Sequence, residues 1–261
     1  MKSLGLALGS GGARGVAHIG FLQALEDKNI KPQFISGCSM GSVVGSCYAF
    51  GMRPKDMLDA VLSLRIRDLI DPDLKALRSG TLLKSKKLLA VLRRFLGHTK
   101  FDELSIPFSC IGADLLTGKK VVFSEGEVAP AVQASSSIPL VFQPVNVNGM
   151  MIADGGVVCR VPSDEVKELG AEVVVAVDVL GPLREMNEIR SVIGYLIRLV
   201  DIYDNQNTEN NRKNSHADIY IAPDLGSMSP YKIERKNFEM AYKNGYECGL
   251  SVTDKIKELI K

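Results

Sequence analysis

A chain of 261 residues that is 46% hydrophobic can bury one large core, and it reads as a single domain over 1–261. Its net charge of +2 gives no strong global attraction to nucleic acid. It has no run of about 18 apolar residues to span a membrane, and its apolar start, Leu4 to Leu8, is too short for a signal peptide.

Ser3 to Leu8 predicts a first buried strand. The chain then enters Gly9-Ser10-Gly11-Gly12-Ala13-Arg14-Gly15, and a helical stripe follows through Val16, Ile19, Gly20, Leu22 and Leu25. A strand, a glycine loop and a helix start aim several backbone N–H groups at one anionic point. One use is a dinucleotide site, but the frame from Ser10 to Gly15 has serine in place of the first glycine. The second strand, moreover, offers no carboxylate for a ribose. A P-loop is excluded because no G-K-[ST] follows. The other use is an oxyanion hole.

Phe34 to Gly37 predicts the second strand, and Val43 to Phe50 a helix closed by Gly51. Between them lies G-x-S-x-G, with Ser39 at its centre and Gly37 and Gly41 on either side. A sharp strand-to-helix turn strains the central residue and exposes its side chain, while the glycines avoid collisions with neighbouring backbone. The competing reading is a Gly/Ser-rich turn that binds nothing. An oxyanion hole serving Ser39 accounts for both glycine motifs at once.

Apolar residues recur at helical spacing from Lys55 to about Ile70 and from Ser85 to Leu96. The stretch from Leu74 to Phe101 carries Lys75, Arg78, Lys84, Lys86, Lys87, Arg93, Arg94 and Lys100 with no Asp or Glu. A basic amphipathic segment over 75–100 suits peripheral contact with an anionic membrane; the alternative is a solvated face covering the domain. Phe108–Ala113 and Lys119–Phe123 read as strands, and Val128–Ser136 as a short helix. Val145–Ala153 reads as a hairpin turned at Asn148-Gly149 and leading to Asp154-Gly155-Gly156. Asp154 at a strand end leaves its carboxylate open to an approaching group, unless Asp-Gly-Gly is only a tight turn. Val173–Val179 suits a central parallel strand. A helical region over about 185–211, a strand over 218–222 and two C-terminal helical segments, about 230–244 and 249–260, complete the domain. Alternating strands and helices make the fold α/β with a mostly parallel sheet. The cysteines (Cys38, Cys47, Cys110, Cys159, Cys248) are odd in number and lack CxxC spacing. They are expected to be reduced and mostly buried, which fits the cytoplasm.

Gly11-Gly12-Ala13-Arg14-Gly15, Gly37-Cys38-Ser39-Met40-Gly41, Ala134-Ser135-Ser136-Ser137-Ile138-Pro139 and Asp154-Gly155-Gly156 occur in that order. Together they resemble the patatin-like phospholipase family over residues 4 to about 222. The resemblance implies a three-layer α/β/α sandwich with a mostly parallel central sheet. It implies hydrolysis of acyl esters of lipids by a serine–aspartate dyad, with no metal or organic cofactor. Carried over, Ser39 is the nucleophile, Asp154 its base, and the loop of Gly11, Gly12, Ala13 and Arg14 the oxyanion hole; Arg14 helps to shape that loop. Gly15, Gly37, Gly41, Gly155 and Gly156 support these motifs. Ser10 stands where many relatives have glycine.

Three other readings compete. A Ser39–Asp154–His216 triad matches the chain order of α/β-hydrolases, whereas His18 reads as a helix residue and His98 as an exposed one. Asp114 and Asp178 read as turn or capping groups, and Cys38 is expected to point away from the site. Outside the hydrolases, the fold suits a non-catalytic lipid-sensing or scaffold protein, or a nucleotide-binding module.

Overall fold

A computed structural model describes residues 1–64, 68, 84–180, 183, 185–186, 188–189, 191–226, 228–230 and 234–261. Its centre is a parallel sheet in the order β3 (Phe108–Asp114), β2 (Phe34–Cys38), β1 (Leu4–Leu8), β7 (Val173–Val177) and β8 (Ile219–Ile221). Every residue of β1, β3 and β7 is buried, as expected of strands covered on both faces. β4 (Lys120–Phe123) pairs antiparallel with β3. So does the hairpin of β5 (Val145–Val147) and β6 (Met150–Asp154), through β6. The hairpin turns at Asn148 and Gly149, with φ of 51° and 82°.

Strand alternation divides the side chains between two helical layers. Leu4, Leu6 and Leu8 of β1 and Val173, Val175 and Val177 of β7 face the larger core. That core is covered by α1 (Val16–Asp27), α2 (Met40–Phe50), α3 (Pro54–Ser63), α4 (Lys86–Leu96), α5 (Val128–Ser135) and α8 (Arg235–Leu259). Fully burying each Leu or Val contributes about 1.5–3 kcal/mol. The other face is thinner: Ala7, Val174 and Ala176 meet Val166 of α6 (Ser163–Glu168). The C-terminal end of α7 (Val192–Asn214) joins this layer, its Arg212 lying 5.1 Å above the Tyr220 ring. The architecture is therefore the expected α/β/α sandwich.

Several elements differ from their sequence reading. The two expected C-terminal segments are one helix, because Gly245 and Gly249 serve helix packing rather than helix ending. A Cβ on Gly245 would lie 2.0 Å from the Ala17 carbonyl, and one on Gly249 2.7 Å from the Ala24 Cβ. On α1, Gly20 is equally close to the Tyr242 carbonyl, so the two helices meet backbone to backbone. The short α6 was not expected, although Pro162-Ser163-Asp164-Glu165 is a helix-start signal. α7 begins at Val192, where the Ser191 hydroxyl caps the Gly194 N–H, and not near Glu185. α3 ends at Ser63; most of its expected continuation to Ile70, like Lys75 and Arg78 of the basic segment, lies outside the described residues.

Candidate active site

Sheet register brings the two motif residues together. Cys110 to Ala113 of β3 pair with β4 along one edge. The other edge takes β2 as far as Cys38, opposite Ile111. It then takes β6 from Asp154, opposite Gly112. Ser39, next after Cys38, thus leaves β2 at the register step where Asp154 ends β6. Ser39 Oγ donates to Asp154 Oδ2 at 2.5 Å across 115 residues of sequence.

The turn that presents Ser39 is strained. Its φ and ψ are 51° and −121°, a region that costs a non-glycine residue about 1–3 kcal/mol. Close backbone packing holds it there: a Cβ on Gly41 would lie 2.0 Å from the Leu8 carbonyl, and one on Gly37 2.5 Å from the Gly41 carbonyl. α2 starts at Met40, so its N-terminal partial positive charge lies beside the Ser39 hydroxyl. The block from Ala134 to Pro139 ties both halves. The Ser39 N–H donates to Ser135 Oγ at 3.1 Å, and the Asp154 N–H to the Ser137 carbonyl at 3.0 Å.

Asp154 is buried, and burial pushes its carboxyl up to about 6, against the downward pull of the Ser39 hydroxyl and the Gly156 N–H. The Gly156 N–H donates to Asp154 Oδ1 at 2.8 Å, fixing the carboxylate's second oxygen, and Gly155 rests on the Ile111 carbonyl. Ser10 lies against Gly156, beside the Asp154 turn.

In the glycine loop, the Ala13 N–H donates to the Pro230 carbonyl and the Arg14 N–H to the Gly11 carbonyl. Among the described residues no acceptor takes the N–H of Gly11 or Gly12. Gly12 has φ of 51°, and a side chain there would strike the Pro230 carbonyl. The buried Arg14 guanidinium donates to the carbonyls of Met228 at 2.7 Å and Leu180 at 2.5 Å, bracing the loop from two segments. Gly15 packs under the Met40 side chain. From α1, His18 Nε2 meets the Gly9 carbonyl at 2.8 Å; burial drops its pKa to about 4, so the ring is neutral at pH 7.

His216 lies elsewhere, exposed and paired with Asp164 at 2.9 Å. His98 is also exposed, 3.0 Å from Glu127. Among the described residues no histidine hydrogen-bonds to Ser39 or Asp154. Asp114 caps the Leu116 and Met151 N–H groups and the Thr117 hydroxyl. Asp178 does cap the Leu180 N–H, but it also forms a buried ion pair with Arg160 at 2.8 Å, which the sequence reading missed. Cys38 is fully buried, and desolvation holds its thiol protonated.

Ser39 and Gly12 open into an apolar cavity of about 300 Å³. Its walls include Val43, Met57, Val61, Leu88, Leu92 and Phe95. The apolar stripe of α4 thus faces inward, and Arg93 on that helix pairs with Glu127 at 3.0 Å.

Residues 6–166, more than half of the chain, match the patatin-like phospholipase family. The chain belongs to that family. It is 38% identical over 179 residues to an NTE family protein of Mycobacterium tuberculosis, covering 67% of this chain and 49% of that one. It is 32% identical over 186 residues to the lysophospholipase NTE1 of Yarrowia lipolytica, covering 68% of this chain and 13% of the relative. The chain thus spans half or less of the length of these patatin-like relatives. Among solved structures, VipD from Legionella pneumophila superimposes with a TM-score of 0.62 at 17% identity, covering 97% of this chain and 67% of VipD. The type III effector ExoU gives 0.54 at 14% identity over 98% of this chain and 53% of that one. At such identities these two structures report the fold.

Proposed function

We propose that this patatin-like chain is a lipid acyl hydrolase working through a Ser39–Asp154 dyad. The observation that carries the reading is the 2.5 Å hydrogen bond to the buried Asp154 carboxylate from Ser39 Oγ, a residue that lines an apolar cavity. Ser39 Oγ attacks the ester carbonyl carbon as Asp154 takes the hydroxyl proton. The carbonyl π electrons move onto oxygen, where the Gly11 and Gly12 N–H groups stabilise the charge; one such donor is worth about 3 kcal/mol of barrier. Collapse expels the alcohol, which leaves with the proton held by Asp154. Water then gives a proton to Asp154 and attacks the acyl-serine, and collapse frees the carboxylic acid and restores Ser39. A carboxyl raised to about 6 is a better base than an ordinary aspartate and is still ionised at pH 7.

The substrate reading follows from the cavity. One apolar chamber beside one serine suits a single long acyl chain, with the polar part of the lipid left outside. A monoacyl ester of the lysophospholipid class fits, in keeping with the activity named for the Yarrowia relative. Five free cysteines suit a reducing, cytoplasmic location. The test is labelling by a fluorophosphonate probe. Wild type is labelled on Ser39, whereas Ser39→Ala and Asp154→Ala are not; labelling that persists in both variants overturns the reading.

A further inference from the structure

Helix α7 carries an apolar stripe on its outward side. Val192, Tyr195, Leu196, Leu199, Ile202 and Tyr203 are each between 39% and 76% exposed. At 100° per residue they share one arc of roughly 120°. No charged residue interrupts that arc. The opposite side carries Arg198, Asp201, Asp204 and Thr208, and it faces the domain: Asp204 pairs with Arg160 at 3.4 Å, and Thr208 is buried. An exposed apolar stripe of this extent marks a contact with another protein or with a membrane. The fold gives this apolar stripe no partner among the described residues.

Its position decides what it meets. α7 packs on the turn Gly155–Val157, which directly follows Asp154. Arg160, six residues beyond Asp154, is the side chain that grips Asp204. That turn carries the carboxylate that accepts from Ser39 Oγ. The cavity's own loop is also apolar outside: Leu140 is exposed between Ile138 and Val141, both of which line the chamber. Tyr195 and Tyr203 add rings with one apolar and one polar end, which suit the headgroup boundary. The six side chains expose on the order of 600 Å², short of the roughly 800 Å² that each partner buries in a standard protein interface.

We propose that the outward face of α7 docks this chain on a lipid surface, with Val192, Leu196 and Leu199 entering beneath the headgroups beside the Asp154 turn. The choice of occupant rests on the lipid-hydrolase reading. The docking is apolar, so it does not require anionic lipid, unlike contact through the basic residues of α4.

The full chain contains no tryptophan, so Leu199→Trp in a Ser39→Ala background is a clean reporter that leaves the lipid intact. Vesicles of phosphatidylcholine should shift its emission to the blue, and chain-brominated phosphatidylcholine should quench it. Adding one-fifth phosphatidylserine should change binding less than threefold. Leu196→Glu with Leu199→Glu, again in Ser39→Ala, should weaken vesicle co-sedimentation tenfold or more, with an unchanged thermal midpoint showing that the chain is folded. Unquenched emission, or binding that ignores the double substitution and requires phosphatidylserine, overturns the proposal. So does a dimer in light scattering that the double substitution splits without moving vesicle binding. Because binding is read without catalysis, failure here leaves the dyad untouched, and failure of the labelling experiment leaves docking untouched.

Discussion

The Ser39 amide donates to the Ser135 hydroxyl at 3.1 Å, joining the strand-to-helix turn to the end of α5. Two residues later the Ser137 carbonyl accepts the Asp154 amide, so one short segment sets the positions of both members of the proposed dyad. Its serines therefore act through the backbone of the site. Ser135→Ala leaves a buried N–H unpaired, a loss of about 1–3 kcal/mol. The expected result is a lower unfolding midpoint and a kcat on a soluble ester reduced about tenfold or more, with KM little changed. Wild-type kinetics in this variant would show that Ser39 holds its geometry without Ser135.

The protonation of Asp154 sets the acid side of the rate profile. With its carboxyl raised to about 6, kcat/KM on a soluble ester should fall about tenfold per pH unit below that value and level out above it. A profile flat from pH 7 to pH 5 would mean that the base titrates as an ordinary aspartate.

The same burial costs stability. Asp154 moves from 3.8 in the unfolded chain to about 6 in the folded one, so between those values the folded state binds more protons. Its contribution to stability is fully present below about pH 4, falls as pH rises towards 6, and is level above. The loss is about 3 kcal/mol at 1.36 kcal/mol per unit. Asp154→Asn avoids the buried charge and keeps an acceptor for the Gly156 N–H. It should unfold several degrees higher than wild type at pH 7.5 and close to wild type at pH 4, while losing activity. Denaturation at the two pH values reads this directly.

Arg14 should act through the loop it braces. Arg14→Ala removes donors to the carbonyls of Met228 and Leu180. The expected outcome is a kcat on a soluble ester lowered ten- to a hundredfold with KM little changed, since Ser39 and Asp154 stay paired. An unaltered kcat would release Arg14 from a positioning role.

The seam between α1 and α8 is tight enough to test by one methyl group. Gly245→Ala places a Cβ about 2 Å from the Ala17 carbonyl, so backbone must move. Overpacking of this kind costs about 1–3 kcal/mol, read as a lower midpoint in urea. An unchanged midpoint would mean that the two helices separate freely.

Much of this was legible in sequence because local chemistry and global fold agree. The glycines around Ser39, the Asn148-Gly149 hairpin and the valine run of β7 each carry a local rule that the structure obeys. The rest depends on distant partners. Gly245 and Gly249 look like helix breakers until α1 is placed against them. The inward turn of the α4 stripe is invisible until the cavity exists, because a basic amphipathic helix reads alike whether it covers a chamber or a membrane. Arg160 carries no motif, and its ion pair with Asp178 arises only from sheet topology. The solvent-facing stripe of α7 was hidden for a similar reason: apolar periodicity shows that a stripe exists, not which way it faces.

The most direct measurement compares steady-state hydrolysis of a soluble long-chain ester by wild type, Ser39→Ala, Asp154→Asn and His216→Ala, all folded by circular dichroism. The dyad predicts losses of a thousandfold or more in kcat for the first two variants and less than twofold for His216→Ala. A His216→Ala loss of several orders of magnitude, or an Asp154→Asn enzyme within tenfold of wild type, would contradict it.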